Sequence, residues 1–206
     1  MEPTQSTYDQ LLDAYKTYND HLFDNELPAC LITLRQKKGA KGYFWGGVAK
    51  GPEDQKADEI ALDIALFHQR TTAETLSTLA HEMVHLWQFH CGKPGKNGYH
   101  NRQWAEKMHE IGLCPTSTGV IGGKETGTKI THVIVPDGLF DRVTKECLEH
   151  AALLWAIPDQ SVAKKETKQG KRQKYECPEC GLIAYARFDA AIICGEDSVE
   201  LRPFEN

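Results

Sequence analysis

Two histidines four residues apart, with a glutamate after the first, form the HExxH motif His81-Glu82-Met83-Val84-His85. On a helix, positions i and i+4 lie nearly above one another, so both imidazoles reach one metal ion while Glu82 stands beside it as a general base. Zinc used for hydrolysis needs a third protein ligand and an open position for water. The candidates are His90, Cys91, His100, Glu106, His109 and His132. A metzincin would carry glycine at position 88 and histidine at position 91; Gln88 and Cys91 stand there, which removes that class. His90 lies five residues past His85 and turns away from it, so it is expected at the surface, as are His21, His68 and His150. Glu106 suits a gluzincin-type spacing. His100 is the better choice: Gly92, Gly95 and Gly98 let the chain reverse before it, and it stands at the mouth of the next helix. His132 falls on a predicted strand from which it could line the site, without being chosen as a ligand, and His109 is read as a structural or metal-supporting histidine at least as readily as a catalytic one.

A second group of ligand types lies near the C-terminus. Cys177-Pro178-Glu179-Cys180 is a C-x-x-C knuckle, and Cys194 follows it. The chain has seven cysteines, an odd number, and the Met-Glu-Pro-Thr-Gln-Ser start has no basic and apolar leader. Reduced thiols or metal ligands are therefore expected rather than disulfides, and the cytoplasm rather than export. Cys30, Cys91, Cys114 and Cys147 stand alone and read as small core residues.

The elements that position these residues follow from periodicity. Thr71-Thr72-Ala73-Glu74 fits a capping box and opens a helix to about His90. Its apolar stripe is Leu76, Leu79, Ala80, Met83 and Trp87, which leaves His81, Glu82 and His85 on the opposite side. A helix over about 8–23, another over 101–111 with Trp104, Met108 and Ile111 inward, and a last one over 139–157 are also predicted. Strands are predicted at 31–34, 43–48, 60–64 and 129–135. In the third, Ile60, Leu62 and Ile64 alternate with Ala61 and Asp63, the pattern of one buried face. Residues 114–129, rich in Gly, Thr and Ser, read as a loop.

At 206 residues, 40% hydrophobic and 26% charged, the chain has the composition of one globular domain with a small appendage. It lacks the run of about 18 apolar residues that spans a membrane. Its net charge of −5 argues against nucleic acid only until it is resolved along the chain. Residues 164–174 hold six cations and one anion, net +5, which leaves −10 for the rest. This basic stretch reads as a linker ahead of a tail of about 30 residues, a size that usually needs a metal to fold.

The motif, the fifteen-residue step to His100, then Trp104 and Met108-His109-Glu110-Ile111-Gly112 resemble the SprT-like metalloprotease family, which includes Spartan, the protease of DNA–protein crosslinks. Tyr18-Asn19-Asp20-His21-Leu22-Phe23 and Gly42-Tyr43-Phe44-Trp45-Gly46 extend the resemblance over roughly 8–113. It implies an α+β, zincin-like metalloprotease domain with an HExxH helix and a small antiparallel-edged sheet, followed by a C-terminal zinc-ribbon-like β module. The expected boundaries are 1–160, a basic linker at 161–174, and 175–206. His81, His85 and His100 would hold catalytic zinc, Glu82 would activate water, and the strand Ile60–Ile64 would take substrate backbone by edge addition. In the tail, Asp197 stands where the ribbon's fourth cysteine is expected, so Cys177, Cys180 and Cys194 would share a structural zinc with Asp197 or with Glu196. Strands are expected there at about 174–176, 182–188 and 199–204.

The resemblance implies cleavage of proteins on or crosslinked to DNA, single-stranded DNA included, at the nucleoid. Lys171, Arg172, Lys174 and Arg187 would track phosphates, and Tyr185 and Phe188 would stack on bases. The rival readings are a non-catalytic zinc-stabilised DNA-binding or adaptor protein, against which the intact Glu82 argues, and a general peptidase unrelated to DNA.

Overall fold

The helix that carries the motif starts where its capping signal stands. In the computed structural model, which describes residues 2–37, 39–147, 173–187 and 190–203, Thr71 Oγ1 accepts from the Glu74 N–H at 3.2 Å, and Glu74 Oε2 accepts from the Thr71 N–H at 2.8 Å. Both orphan donors are satisfied, and the helix runs Thr72–Cys91.

The chain divides into two compact units, Met1–Pro158 and Asp159–Asn206. The described part of the first runs α1 (Pro3–Phe23), β1 (Leu31–Arg35), β2 (Gly42–Lys50), β3 (Lys56–Asp63), α2 (Thr72–Cys91), α3 (Arg102–Glu110), β4 (Leu113–Thr116), β5 (Thr131–Ile134) and α4 (Leu139–Cys147). Its core gathers Leu11, Tyr18 and Phe23 of α1, Ile60 and Leu62 of β3, Leu76, Leu79, Met83 and Leu86 of α2, and Trp104 and Met108 of α3. Tyr18 reaches α4 through a 2.9 Å hydrogen bond to Thr144 and a ring contact with Phe140. The mixed α and β content with small sheets agrees with an α+β domain.

The main sheet has the order β1-β3-β2, with β1 parallel and β2 antiparallel to β3. This corrects two expectations. The strand containing Ile60 is central and has no free edge, so it cannot add a substrate strand. Nor is it buried on one face only: Asp58 to Asp63 are all buried. The short alternating run resembled a half-exposed strand because Ala and Asp occupy its second face, and Asp63 is buried by accepting from the Ala65 N–H at 3.0 Å.

β2 is the edge strand beside α2. A Cβ at Gly42 would lie 2.9 Å from Ala61 O and from Thr78 Cγ2, and 3.1 Å from Glu82 Oε1, so glycine is what lets β2 close over the motif glutamate. The register of β2 shifts between Trp45 and Ala49. Gly47 takes the positive φ of 61° in this bulge and donates its N–H to Asp58 Oδ1 at 2.7 Å.

The first helix begins at Pro3, earlier than periodicity indicates, because proline is favoured in the first turn. Residues 114–129 are not all loop: β4 pairs antiparallel with β5 from Leu113↔Ile134 to Thr116↔Thr131. The predicted helix beyond Cys147 and the basic stretch 164–172 lie outside the described residues.

In the second unit, β6 (Gln173–Glu176) lies between β7 (Ile183–Ala186) and β8 (Arg202–Pro203). Tyr175, Cys177, Cys194 and Leu201 form its small buried core. No helix among the described residues is long and apolar enough to cross a membrane.

Candidate metal centre

α2 is buried well beyond its apolar stripe. His81 and Glu82, predicted on the opposite side, are also covered, by α3 and by the β2 edge, and His85 is half-buried. A ligand atom from each of His81, His85 and His100 lies within 4.8 Å of the others. His100 is held before α3 by a two-way backbone pair with Gly127: its N–H donates to Gly127 O at 2.8 Å, and the Gly127 N–H returns to His100 O at 3.0 Å. Gly127 has φ 141°, a conformation side chains rarely tolerate.

The residues fit a zinc ion. His100 Nδ1 donates to the same Gly127 carbonyl at 2.9 Å, which leaves Nε2 bare, and that nitrogen lies 3.1 Å from His85 Nε2. Two ligands of a tetrahedral ion with metal–nitrogen bonds of 2.0–2.1 Å stand about 3.3 Å apart. Burial lowers the pKa of all three imidazoles, His85 to about 3, which favours the neutral form that a cation would need.

Trp104 of α3 forms the floor. Its ring stacks on His85 at 5.3 Å between centroids and meets His81 at 4.9 Å and His100 at 4.3 Å. Its place at helical spacing marked it as core, and periodicity carried no sign that its neighbours are three converging imidazoles. His132 of β5, which the sequence offered as a residue that could line the site, does so: its ring lies 5.2 Å from His81.

The other candidates are elsewhere. Glu106 is exposed and paired with Arg102 at 2.8 Å. His90 pairs with Asp58 at 2.6 Å. His109 pairs with Glu125 at 3.2 Å, and with Cys114 these form an open cluster whose proximity the ion pair explains. His21 and His68 are exposed; His150 lies outside the described residues. Cys30 is half-buried and packs against the core, as its isolation in sequence indicated, whereas Cys114 is half-buried and Cys91 is exposed.

Burial pushes the Glu82 carboxyl up to about 8, opposed only in part by Lys37. A raised folded pKa means stability present below the unfolded value near 4.5 and lost as pH rises through 8. The buried histidines have the opposite sign: their folded pKa values lie below the usual 6.5, so their contribution is lost as pH falls from 6.5 toward 3. Chelator-treated protein is therefore expected to be most stable near pH 6.5. Glu82→Gln should abolish the decline above pH 6.5, a gain of about 1–3 kcal/mol at pH 8, and steepen the rise between pH 5 and 6.5, where the Glu82 loss otherwise offsets part of the histidine gain. Thermal melts of both proteins across pH 5–9 check this.

In the second unit the three cysteines converge with Asp197. Asp197 Oδ2 lies 3.4 Å from Cys177 Sγ and from Cys194 Sγ, and Cys180 Sγ lies 3.6 Å from Cys194 Sγ. Tetrahedral zinc with sulfur at 2.3 Å sets neighbouring sulfurs about 3.8 Å apart, so this set also fits. Glu196 is exposed and outside the cluster. Chelation is expected to expose 173–203 to protease, and Asp197→Ala to lower the chelator concentration required, as peptide mapping of the full chain would show. Lys174 is half-buried on β6, Arg187 and Tyr185 are exposed, and Lys171, Arg172 and Phe188 lie outside the described residues.

The family model described as the SprT-like family matches residues 11–130, more than half of the chain. An "uncharacterized protein in mucB 3'region" of Salmonella typhimurium is 56% identical over 41 residues, 20% of this chain and 55% of that protein. The chain thus spans about half the length of the curated relative it matches.

Proposed function

The chain belongs to the SprT-like family, and from that premise we propose that it is a zinc-dependent endopeptidase acting on proteins associated with or crosslinked to DNA. The observation that carries the peptidase reading is a cluster of three converging imidazoles with a buried glutamate next to the first of them in the chain. A structural ion has no use for that carboxylate, which disfavours the adaptor reading. His81, His85 and His100 would hold the ion, which when bound supplies a Lewis acid that acidifies water and polarises a carbonyl. Glu82 takes a proton from the attacking water and delivers it to the leaving amine. Trp104 fixes the imidazole planes, and the β2 edge, closed over Glu82 at Gly42, takes the place first assigned to β3 as the strand that aligns substrate backbone.

The DNA part rests on the basic stretch 164–174 and on Arg187 and Tyr185, exposed at the end of the tail sheet. Lys171, Arg172, Lys174 and Arg187 remain its phosphate contacts and the cytoplasmic nucleoid its place of action. The test is cleavage of a DNA-bound protein by the full chain with and without single-stranded DNA. Stimulation that fades with salt and weakens in Lys171→Glu/Arg172→Glu supports recruitment. Equal cleavage with and without DNA would leave a general peptidase.

A further inference from the structure

Hydrogen atoms can be assigned along a chain of contacts that starts in α2 and ends on a proposed zinc ligand. Ser77 Oγ donates its one hydrogen to the main-chain carbonyl of Glu74 at 2.8 Å, a group that can only accept. Toward His132 Nε2, 2.8 Å away, Ser77 is therefore the acceptor, and that nitrogen carries the hydrogen. A neutral imidazole has only one, so His132 Nδ1 is bare. That bare nitrogen lies 3.1 Å from His81 Nδ1, which must then be the donor. With its proton at Nδ1, His81 keeps Nε2 free with a lone pair, the form a metal ligand requires.

We propose that His132, fixed by Ser77, is a positioning residue that locks His81 in its Nδ1-protonated tautomer and thereby raises zinc affinity at the candidate centre. The counterpart on His100 is the Gly127 carbonyl, which accepts from its Nδ1; His81 has an imidazole in that role. His132 follows the stretch that the family model matches, and its sequence pattern places it on a strand without indicating a contact with His81. The inference rests on the proposed reading that His81 binds zinc.

The test reads zinc affinity of the full chain by competition with a chromophoric chelator, with His85→Ala as the blank that reports zinc held elsewhere. His132→Phe keeps a ring but offers no acceptor, and is expected to bind about 10–100-fold more weakly. His132→Asn keeps an acceptor near the Nδ1 position and is expected to restore affinity to within about threefold of wild type. Ser77→Ala, which frees His132 to turn its hydrogen toward His81, should fall between the two. Melts of the chelated variants separate folding from tautomer control, because loss of packing alone would not split Phe from Asn in zinc affinity.

The inference is overturned if His132→Phe binds zinc as wild type does, or if His132→Asn loses as much as His132→Phe. A wild type holding no more zinc than His85→Ala overturns both this inference and the reading beneath it. If the variants show the expected order but the wild type cuts no protein, the inference stands and the peptidase reading fails.

Discussion

Glu82→Gln is expected to lower cleavage of a protein substrate by about 10³–10⁴-fold while zinc content stays unchanged. Glutamine has nearly the same volume and fits beneath Gly42, whose Cα approach leaves no room for a larger group. It cannot accept and return a proton, so the loss should fall on kcat with little change in KM. Metal analysis and initial rates on the same preparations check this. Residual cleavage near the wild-type rate would mean that another base serves the water.

The second large effect separates two ligands that sequence spacing alone left in competition. His100→Ala is expected to weaken zinc binding by about 10²–10³-fold, since one of the three proposed protein ligands would be lost, against roughly 10–16 kcal/mol for structural zinc held by four. Glu106→Ala should change it by less than about twofold, because that carboxylate is exposed and engaged with Arg102 on the helix surface. Chelator competition measures both. An equal loss in the two variants would contradict the placement of His100 opposite His85.

What the sequence made legible was local. The capping box, the motif on its helix and the reversal through Gly92, Gly95 and Gly98 to His100 each depend on residues within a few turns of one another. Pairing order is not local. Ile60 to Asp63 looked like a strand with one dry face and a usable edge, whereas β2 returns antiparallel on one side of it and β1 lies parallel on the other. That arrangement decides which edge faces a substrate, and no spacing within β3 encodes it. β4 was missed because Leu113-Cys114-Pro115-Thr116 is short and contains a proline, yet Pro115 pairs with His132 where a missing N–H is tolerated.

His132 illustrates the same limit in the site. It meets His81 across fifty-one residues, through a hairpin that itself went unread. In the tail, three cysteines at ribbon spacing were visible, but choosing Asp197 over Glu196 needed the turn that brings one carboxylate oxygen to both Cys177 and Cys194.

The central claim is that this chain hydrolyses peptide bonds with zinc held by His81, His85 and His100. The most direct measurement is the appearance of new N-termini in an unfolded protein substrate, followed by mass spectrometry through one cycle of chelation and zinc return. The account predicts cleavage by the zinc-loaded chain, none after chelation, recovery when zinc is restored, and no recovery in His85→Ala. Cleavage that persists in chelator, or recovers equally in His85→Ala, would contradict it.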